Sequence, residues 1–296
     1  MWGSPAVLAV ALALEVLDRP REWNGYFVSR LIPPSAHPVA LIYKAASRLV
    51  KRGATLRNAL LVALFVLAPS LALYMLQSAI GSGLWQTVAE AYLLKLAFSE
   101  SHILYPCWSA YSRDSCPRGV VQQFVRRDLA TASCPHVASA CIETAAESFV
   151  DSFVSPLFWY ILLGLPGAWA QRIANTLDGL IGFRDWGKSG APAAYLDTAL
   201  NWIPARLSAG VILASALLLG LRPDLSPLRG NRMESKNARW PISAVAGALA
   251  VRLEKPGIYA VGRGPLPDVE SVRRALKLLA LSCTIYSLFA LGLMFI

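Results

Sequence analysis

Long runs of uncharged apolar residues constrain this chain more than any other feature. The run Ala59–Ile80 has 22 residues without a charge, and the run Leu278–Ile296 has 19. A helix needs about 20 apolar residues to cross the hydrocarbon core of a bilayer, where the backbone must satisfy its own polar groups. The chain is also 55% hydrophobic and only 16% charged, whereas soluble domains are about 25% charged. We therefore predict an all-α, polytopic helical membrane protein.

Further apolar segments bring the predicted number of membrane helices to about five. The N-terminal run that ends at Leu17 lacks the basic region that opens a signal peptide, so we interpret it as a membrane helix. Residues 207–221 are short but uncharged. Residues 154–170 are interrupted by proline and glycine, so this segment either spans the bilayer or re-enters it. Because no Ser/Gly-rich linker divides the chain, we expect one integral membrane domain over residues 1–296.

Charged residues are concentrated between these runs. Residues 18–58 hold eight Lys and Arg with two acids, and residues 222–277 hold eleven with five acids. Basic loops beside membrane helices are typically cytoplasmic, although counting the crossings leaves the topology open. The net charge of +10 indicates anionic lipid and anionic substrates as partners, because no nucleic-acid-binding motif accompanies it. Residues 84–98 carry Glu90 and Lys95, which indicates an amphipathic or buried helix.

The five cysteines do not suggest a paired framework. Cys283 lies in an apolar run and is expected in the core. The other four cluster in sequence with two histidines but lack the C-x-x-C spacing of a zinc site. We therefore expect no metal site in this region. A single disulfide between Cys107 and Cys116 is the alternative, particularly in a protein from a hyperthermophile.

A column of carboxylates precedes the interrupted segment. Glu143, Glu147 and Asp151 are spaced four residues apart, so on a helix they share one face with a drift of about 40° per step. Like charges at this spacing weaken a helix, and carboxylates in lipid are strongly unfavourable. The column therefore predicts that these carboxylates have partners that offset their charge.

Two later segments each combine Asn, Asp and Arg. The first carries Asn175, Asp178 and Arg184, and the second carries Asp197, Asn201 and Arg206. Carboxylates with carboxamides can hold Mg²⁺, and arginines bind phosphates in a bidentate manner. The alternative is hydrogen bonding between membrane helices, which uses the same residue types. Three acid-bearing segments near membrane boundaries favour a functional site made with amphipathic helices and polar loops. The chain has no Walker A sequence.

Five motifs occur in order along the chain. They are HPVALI from His37, ETAAES-VD---SPLFW from Glu143, G-PGAW----ANTLD-LIGFR from Gly164, LD--LNWIPARL from Leu196 and NARWP-SAVAGALAVRL from Asn237. In this order they resemble the CobD/CbiB family of cobalamin-biosynthesis membrane proteins, the adenosylcobinamide-phosphate synthases.

The resemblance implies a multi-pass protein of the plasma membrane and a carbon–nitrogen ligase. Such an enzyme joins the carboxylate of adenosylcobyric acid to aminopropanol phosphate, or a related amino-alcohol, with ATP and Mg²⁺. The implied partners are the corrinoid substrate, the amino-alcohol phosphate and the lipid bilayer, with other cobalamin-assembly enzymes as further candidates. No tightly bound cofactor is evident, and no nucleic acid is expected.

The resemblance also assigns roles to the candidate site residues. The expected catalytic carboxylates are Glu143, Glu147, Asp151, Asp178 and Asp197, of which Glu147, Asp178 and Asp197 are expected to bind Mg²⁺. His37 is expected to act as a base or phosphate ligand. The expected substrate- or phosphate-binding residues are Arg172, Asn175, Arg184, Asn201, Arg206 and Asn237.

The chain departs from the usual family pattern at several positions. Ser148 stands where the family has Asn, Tyr195 where it has Arg, Thr198 where it has Asp, and Arg239 where it has Gly. Two rival interpretations follow. An ion-coupled transporter predicts inverted repeats, which this sequence does not show. A non-catalytic membrane scaffold or sensor predicts that the acids and arginines tolerate substitution.

Overall fold

The computed structural model describes residues 3–18, 31–79, 83–230 and 233–295. Most of these residues are helical, which confirms the predicted all-α class. The helices are α1 (Pro5–Leu17), α2 (Pro38–Leu49), α3 (Thr55–Ala79), α4 (Leu84–Lys95), α5 (Ser101–Arg113), α6 (Arg118–Val121), α7 (Cys134–Phe149), α8 (Ser155–Ile181), α9 (Ala191–Leu200), α10 (Trp202–Leu218), α11 (Ser226–Gly230), α12 (Arg239–Leu249) and α13 (Val269–Leu293). Short 3₁₀ turns cover Pro34–Ala36, Gln122–Phe124 and Arg184–Ser189.

One small β-hairpin interrupts the helices. Strands β1 (Leu253–Lys255) and β2 (Tyr259–Val261) pair antiparallel, with Leu253 opposite Val261. Gly257 lies in the connecting turn with φ 74°, a conformation that glycine adopts without strain. The hairpin packs against α7, and this contact becomes important for Glu143 below.

Three helical stretches are long and apolar enough to cross a membrane, namely α3, the stretch Cys134–Ile181 and α13. Helices α9 and α10 pass the same test as a pair bent by 47°, so up to four crossings lie within the described residues. This number is below the five that we predict from the sequence. The difference is α1, because its 13 residues rise only about 20 Å against about 30 Å of hydrocarbon.

The stretch Cys134–Ile181 folds back on itself at Gly164. Nε2 of Gln171 donates to the carbonyl of Asp151 at 3.4 Å, although 20 residues separate them. In a straight helix, 20 residues would span about 30 Å. Gly164 has φ 67° and ψ −158°, a region that residues with a side chain rarely enter. The segment 154–170 therefore reverses direction instead of continuing straight, and its two arms lie side by side.

A π-helical turn at Val150–Val154 joins α7 to α8. Such turns insert one residue into the helical repeat and are frequent at functional sites. Asp151 lies within this turn. The i,i+4 column predicted for Glu143, Glu147 and Asp151 is therefore interrupted at its last member.

Apolar side chains fill the interior and also cover one outer surface. Phe149, Phe153 and Tyr286 are buried. Phe149 and Phe153 stack with ring centroids 6.3 Å apart, and Tyr286 packs edge-on to Phe153 at 6.2 Å. Helix α3 packs along α8. Its other side exposes a column of leucines at Leu56, Leu60, Leu64, Leu67 and Leu71. A contiguous apolar surface of this kind is expected to face lipid.

Four of the cysteines form two disulfides, which corrects our expectation. Cys107 pairs with Cys141, and Cys116 pairs with Cys134. The predicted alternative, a Cys107–Cys116 bridge, is wrong. Cys107 of α5 faces Cys141 of α7 and not Cys116, which follows α5 in the chain. Cys283 is buried, as predicted.

Candidate functional site

Five carboxylates line one cavity of about 620 Å³. One of them, Glu234, is exposed, and the other four come from the helical part of the lining. Glu147 is contributed by α7, Asp151 by the π turn, Asp178 by α8 and Asp197 by α9. The fold-back at Gly164 explains why the first two meet Asp178, since they lie on opposite arms of the same helical hairpin. Helix α9 packs against α8 and adds Asp197. We call this space the carboxylate cavity.

Two amide side chains hold Asp197 in place. Nδ2 of Asn201 donates to its Oδ1 at 2.8 Å, and Nδ2 of Asn175 donates to the same oxygen at 3.2 Å. Asn201 is buried at the bend between α9 and α10, where its Oδ1 accepts a hydrogen bond from Gln171 at 3.2 Å. Asn175 also interacts with Asp151. These amides orient a carboxylate that would otherwise be repelled by its acidic neighbours.

Basic and amide groups surround the mouth of the carboxylate cavity. Arg184 lines it and forms an exposed ion pair with Glu234. Lys236 is exposed and also lines it. Nδ2 of Asn237 donates to the carbonyl of Thr198 at 2.9 Å, while its buried Oδ1 has no hydrogen-bond partner among the described residues. Arg184 and Lys236 therefore bring positive charge to the cavity lining, and Asn237 adds a buried acceptor without a partner among these residues.

The donor set of this cavity fits Mg²⁺. The carboxylates of Asp178 and Asp197 interact electrostatically, and so do those of Asp151 and Asp197. Within the described residues, no group of three or more His, Cys, Asp or Glu is placed as a complete metal cage. Magnesium does not require such a cage, because it binds one or two carboxylates and completes its octahedron with water and substrate phosphates.

Glu143 lies outside the carboxylate cavity. Its Oε1 accepts hydrogen bonds from Ser139 at 2.5 Å and Arg127 at 3.3 Å, and its Oε2 accepts one from Tyr259 at 2.6 Å. Ser139 also accepts a bond from the backbone N–H of Glu254 at 2.7 Å. In this arrangement Glu143 fastens the β-hairpin to α7.

Arg206 is also remote from the acids. Its guanidinium stacks on Trp202, 3.8 Å from the ring centroid, and lies 4.9 Å from that of Trp240. It lines a separate apolar pocket of about 330 Å³ with Phe158 and Phe289. The structure therefore does not place Arg206 where it could contact a phosphate beside the four carboxylates.

His37 and Arg172 belong to a second polar layer. Nδ1 of His37 accepts a bond from the backbone N–H of Val39 at 3.3 Å and so caps α2. Burial, with the positive charges of Arg172 and Lys95, lowers the pKa of His37 to about 4. Nη1 of Arg172 donates to Oγ of Ser152 at 3.2 Å. Arg172 thus contacts the π turn, and its positive charge interacts with the carboxylate of Asp151 in that turn.

This layer also contains charged residues that we did not predict as parts of a site. Lys95 is buried and forms an ion pair with Asp18, and it lies 4.0 Å from Glu15. Oε1 of Glu15 accepts hydrogen bonds from Ser99 and Ser101 at 3.0 and 3.1 Å. The sequence did contain a sign of this buried ion-pair cluster, because Glu15 is an isolated acid in the apolar run of α1 and Lys95 is the lysine that ends α4.

Comparison with known proteins identifies the family. The sequence model of the family described as CobD/Cbib protein matches residues 8–279. The chain belongs to the CobD/CbiB family.

Proteins named CobD are similar to this chain, some over most of its length and some over part of it. A "Probable cobalamin biosynthesis protein CobD" of Aeropyrum pernix is 38% identical over 98% of this chain and 94% of its own length. One of Methanothrix thermoacetophila is 30% identical over 87% of this chain and 90% of its own length. A "Cobalamin biosynthesis protein CobD" of Dehalococcoides mccartyi is 34% identical over 59% of each chain. No solved structure matches. The predicted resemblance is thus confirmed, and membership supports a role in cobalamin biosynthesis.

Two departures from the CobD/CbiB pattern lie in the carboxylate cavity. Tyr195 and Thr198 both line it, and Tyr195 is 75% exposed. Arg239 follows the lining residue Ala238 in sequence, but its guanidinium lies over Trp240, 5.0 Å from the ring centroid. Ser148 is partly buried on α7 beside Glu147. Relative to the family pattern, the cavity lining therefore lacks one carboxylate at Thr198 and one cation at Tyr195.

Proposed function

We propose that this protein is a carbon–nitrogen ligase of the plasma membrane that forms adenosylcobinamide phosphate. It would join the carboxylate of adenosylcobyric acid to the amine of aminopropanol phosphate, or of a related amino-alcohol phosphate, with ATP. The observation that carries the proposal is the convergence of Glu147, Asp151, Asp178 and Asp197 on one cavity in a CobD/CbiB protein.

The proposed reaction has two steps. A carboxylate oxygen of the corrinoid attacks the γ-phosphorus of ATP, so ADP leaves and an acyl phosphate forms. The amine nitrogen then attacks the acyl carbon, the carbon–oxygen bond to phosphate breaks, and an amide remains. Overall, carboxylate, ammonium and ATP become amide, ADP, phosphate and one proton. The protein must therefore bind polyanions, neutralise charge and accept protons from the ammonium group.

The cavity residues suit these tasks. Asp178 and Asp197 would hold Mg²⁺, which, when bound, offsets the negative charge of the phosphates. Lys236 and Arg184 lie at the mouth, where they would contact phosphate oxygens. Glu147 is the most exposed of the four acids and is our candidate to accept a proton from the amine. The unsatisfied Oδ1 of Asn237 would accept a hydrogen bond from that amine.

The test is formation of the amide by the purified protein. The protein in detergent is incubated with adenosylcobyric acid, aminopropanol phosphate and Mg-ATP, and the product is sought by mass spectrometry. We expect Asp197→Asn to abolish product and Asp185→Asn, an exposed acid paired with Arg52 at 2.6 Å, to retain it. Absence of amide from the wild-type protein with every amino-alcohol phosphate tried would refute the ligase. Equal activity of the Asp197 and Asp185 variants would refute this site.

A further inference from the structure

A second cavity, of about 880 Å³, lies between α5 and α13 and shares no lining residue with the carboxylate cavity. Its α13 side presents two cations, Arg273 and Lys277, together with the apolar residues Leu276 and Ala280. Helix α13 is a candidate membrane span whose charges end at Lys277, with only uncharged residues from Leu278 onwards. The groove is therefore lined by residues on both sides of the point at which the sequence of α13 changes from charged to apolar.

The α5 side of the groove is aromatic. Tyr105, Trp108 and Tyr111 all line it, and the rings of Tyr105 and Trp108 pack with centroids 5.7 Å apart. Trp108 is 58% exposed. Tryptophan and tyrosine are enriched at membrane–water interfaces, where an apolar ring meets a polar headgroup layer. The exposed ring of Trp108 and the last charged residue of α13 thus independently place this groove at the membrane–water interface.

The hydroxyl of Tyr111 is an unsatisfied group in this groove. The residue is only 6% exposed, and its hydroxyl has no hydrogen-bond partner in the described part of the chain. Burial and the nearby charge of Asp114 raise the pKa of Tyr111, so the hydroxyl stays protonated and able to donate. A buried donor without an acceptor destabilises a fold. An acceptor atom from a ligand would satisfy it.

We propose that this groove binds an anionic phospholipid. The headgroup phosphate is held by Lys277 and Arg273 and accepts a hydrogen bond from Tyr111. An acyl chain lies along Leu104, Leu276 and Ala280. Phospholipid suits the groove better than free phosphate because the same lining combines cations with the apolar residues Leu104, Leu276 and Ala280.

Besides Asp114, whose charge acts on Tyr111, two carboxylates lie near the groove and limit the ligand. Glu100 lines the groove, and Glu270 lies 3.6 Å from Arg273. A headgroup that carries hydroxyl donors beside its phosphate suits a groove with one carboxylate in its lining. We therefore choose phosphatidylglycerol as the probe.

The experiment is a lipid titration of the whole protein in detergent, read as the shift in melting temperature. Phosphatidylglycerol is compared with phosphatidylcholine and with soluble glycerol phosphate. The groove variant is Arg273→Ala with Lys277→Ala. The matched control is Arg229→Ala with Arg274→Ala, which removes the same charge from exposed residues outside the groove. A third variant, Tyr111→Phe, removes only the hydroxyl.

We expect phosphatidylglycerol alone to raise the melting temperature. Each groove cation should contribute about fivefold to lipid affinity, so the double variant should need about 25-fold more lipid. The control pair should titrate like wild type. Tyr111→Phe should melt no lower than wild type without lipid, yet need several-fold more lipid for the same shift. An equal response to phosphatidylcholine or glycerol phosphate would overturn the proposal, as would a wild-type titration by the groove variant or by Tyr111→Phe.

Discussion

Removing the two disulfides should lower stability by an amount that follows from the chain they close. The Cys116–Cys134 bridge spans 18 residues and the Cys107–Cys141 bridge spans 34. In the loop-entropy description, these lengths correspond to about 3 and about 4 kcal/mol, respectively. Both bridges end on α7, which carries Glu147 to the carboxylate cavity. Reduction should therefore loosen the end of the helix that supports the site.

The assay compares unfolding of the wild-type protein with Cys116→Ser/Cys134→Ser and Cys107→Ser/Cys141→Ser, each with and without reductant. Reductant should destabilise the wild type, and each paired variant should lose part of that response. A protein that lacks both bridges should not respond to reductant at all. Thiol labelling reports whether reduction took place. Complete labelling of the four cysteines with no change in unfolding would refute the reasoning.

Three further predictions concern single residues. Gly164→Ala should lower the free energy of unfolding by about 1–3 kcal/mol, whereas Gly179→Ala, in open helical surroundings, should not lower it; equal effects in a denaturant titration would contradict the fold-back. Asn201→Ala should reduce amide formation at least about tenfold, which corresponds to the loss of one hydrogen bond to the charged Asp197, while the amount of folded protein stays normal. Unchanged turnover would show that the hydrogen bond from Asn201 to Asp197 does not contribute to the reaction. Folding lowers the pKa of His37 from its ordinary value of about 6.5 to about 4. Between about pH 6.5 and about pH 4 the unfolded chain therefore binds one more proton than the folded protein, so the free energy of unfolding should decrease as the pH falls through that range. Melting curves of wild type and His37→Asn at pH 7 and pH 5 check this, and parallel pH dependence in both would contradict it.

Features that depend on local composition were predictable from the sequence. A span requires only an uninterrupted apolar run, so α3 and α13 follow directly from residues 59–80 and 278–296. The contact of Asn201 with Asp197 follows from their four-residue spacing, with Asn201 directly after the last residue of α9. The five family motifs were also sufficient for the family, which the comparisons confirm.

Features that depend on the path of the chain were not predictable. Helical periodicity groups Glu143 with Glu147 and Asp151, but the π turn and the docked β-hairpin assign Glu143 to Tyr259 and Arg127 instead. The disulfide partners are 18 and 34 residues apart, so the nearest cysteine in sequence was the wrong choice. A single sequence does not record which faces of α5 and α7 meet.

Buried charge was the hardest feature to predict. Lys95 and Glu15 interrupt apolar helices, and periodicity indicates only that each must avoid lipid. Their actual partners are Asp18 for Lys95 and Ser99 for Glu15, each separated from them by more than 70 residues. Likewise, Arg206 had the residue type of a phosphate ligand, but adjacent tryptophans hold it elsewhere.

The fold-back at Gly164 has a consequence for the biogenesis of this protein. The contacts of Asp151 and Ser152 with the returning arm join residues only 20 apart in the chain, and closing so short a loop requires little entropy. One side of the carboxylate cavity can therefore form while the rest of the chain is still being synthesised. Its polar groups would enter the bilayer already satisfied by one another, before α9 emerges with Asp197.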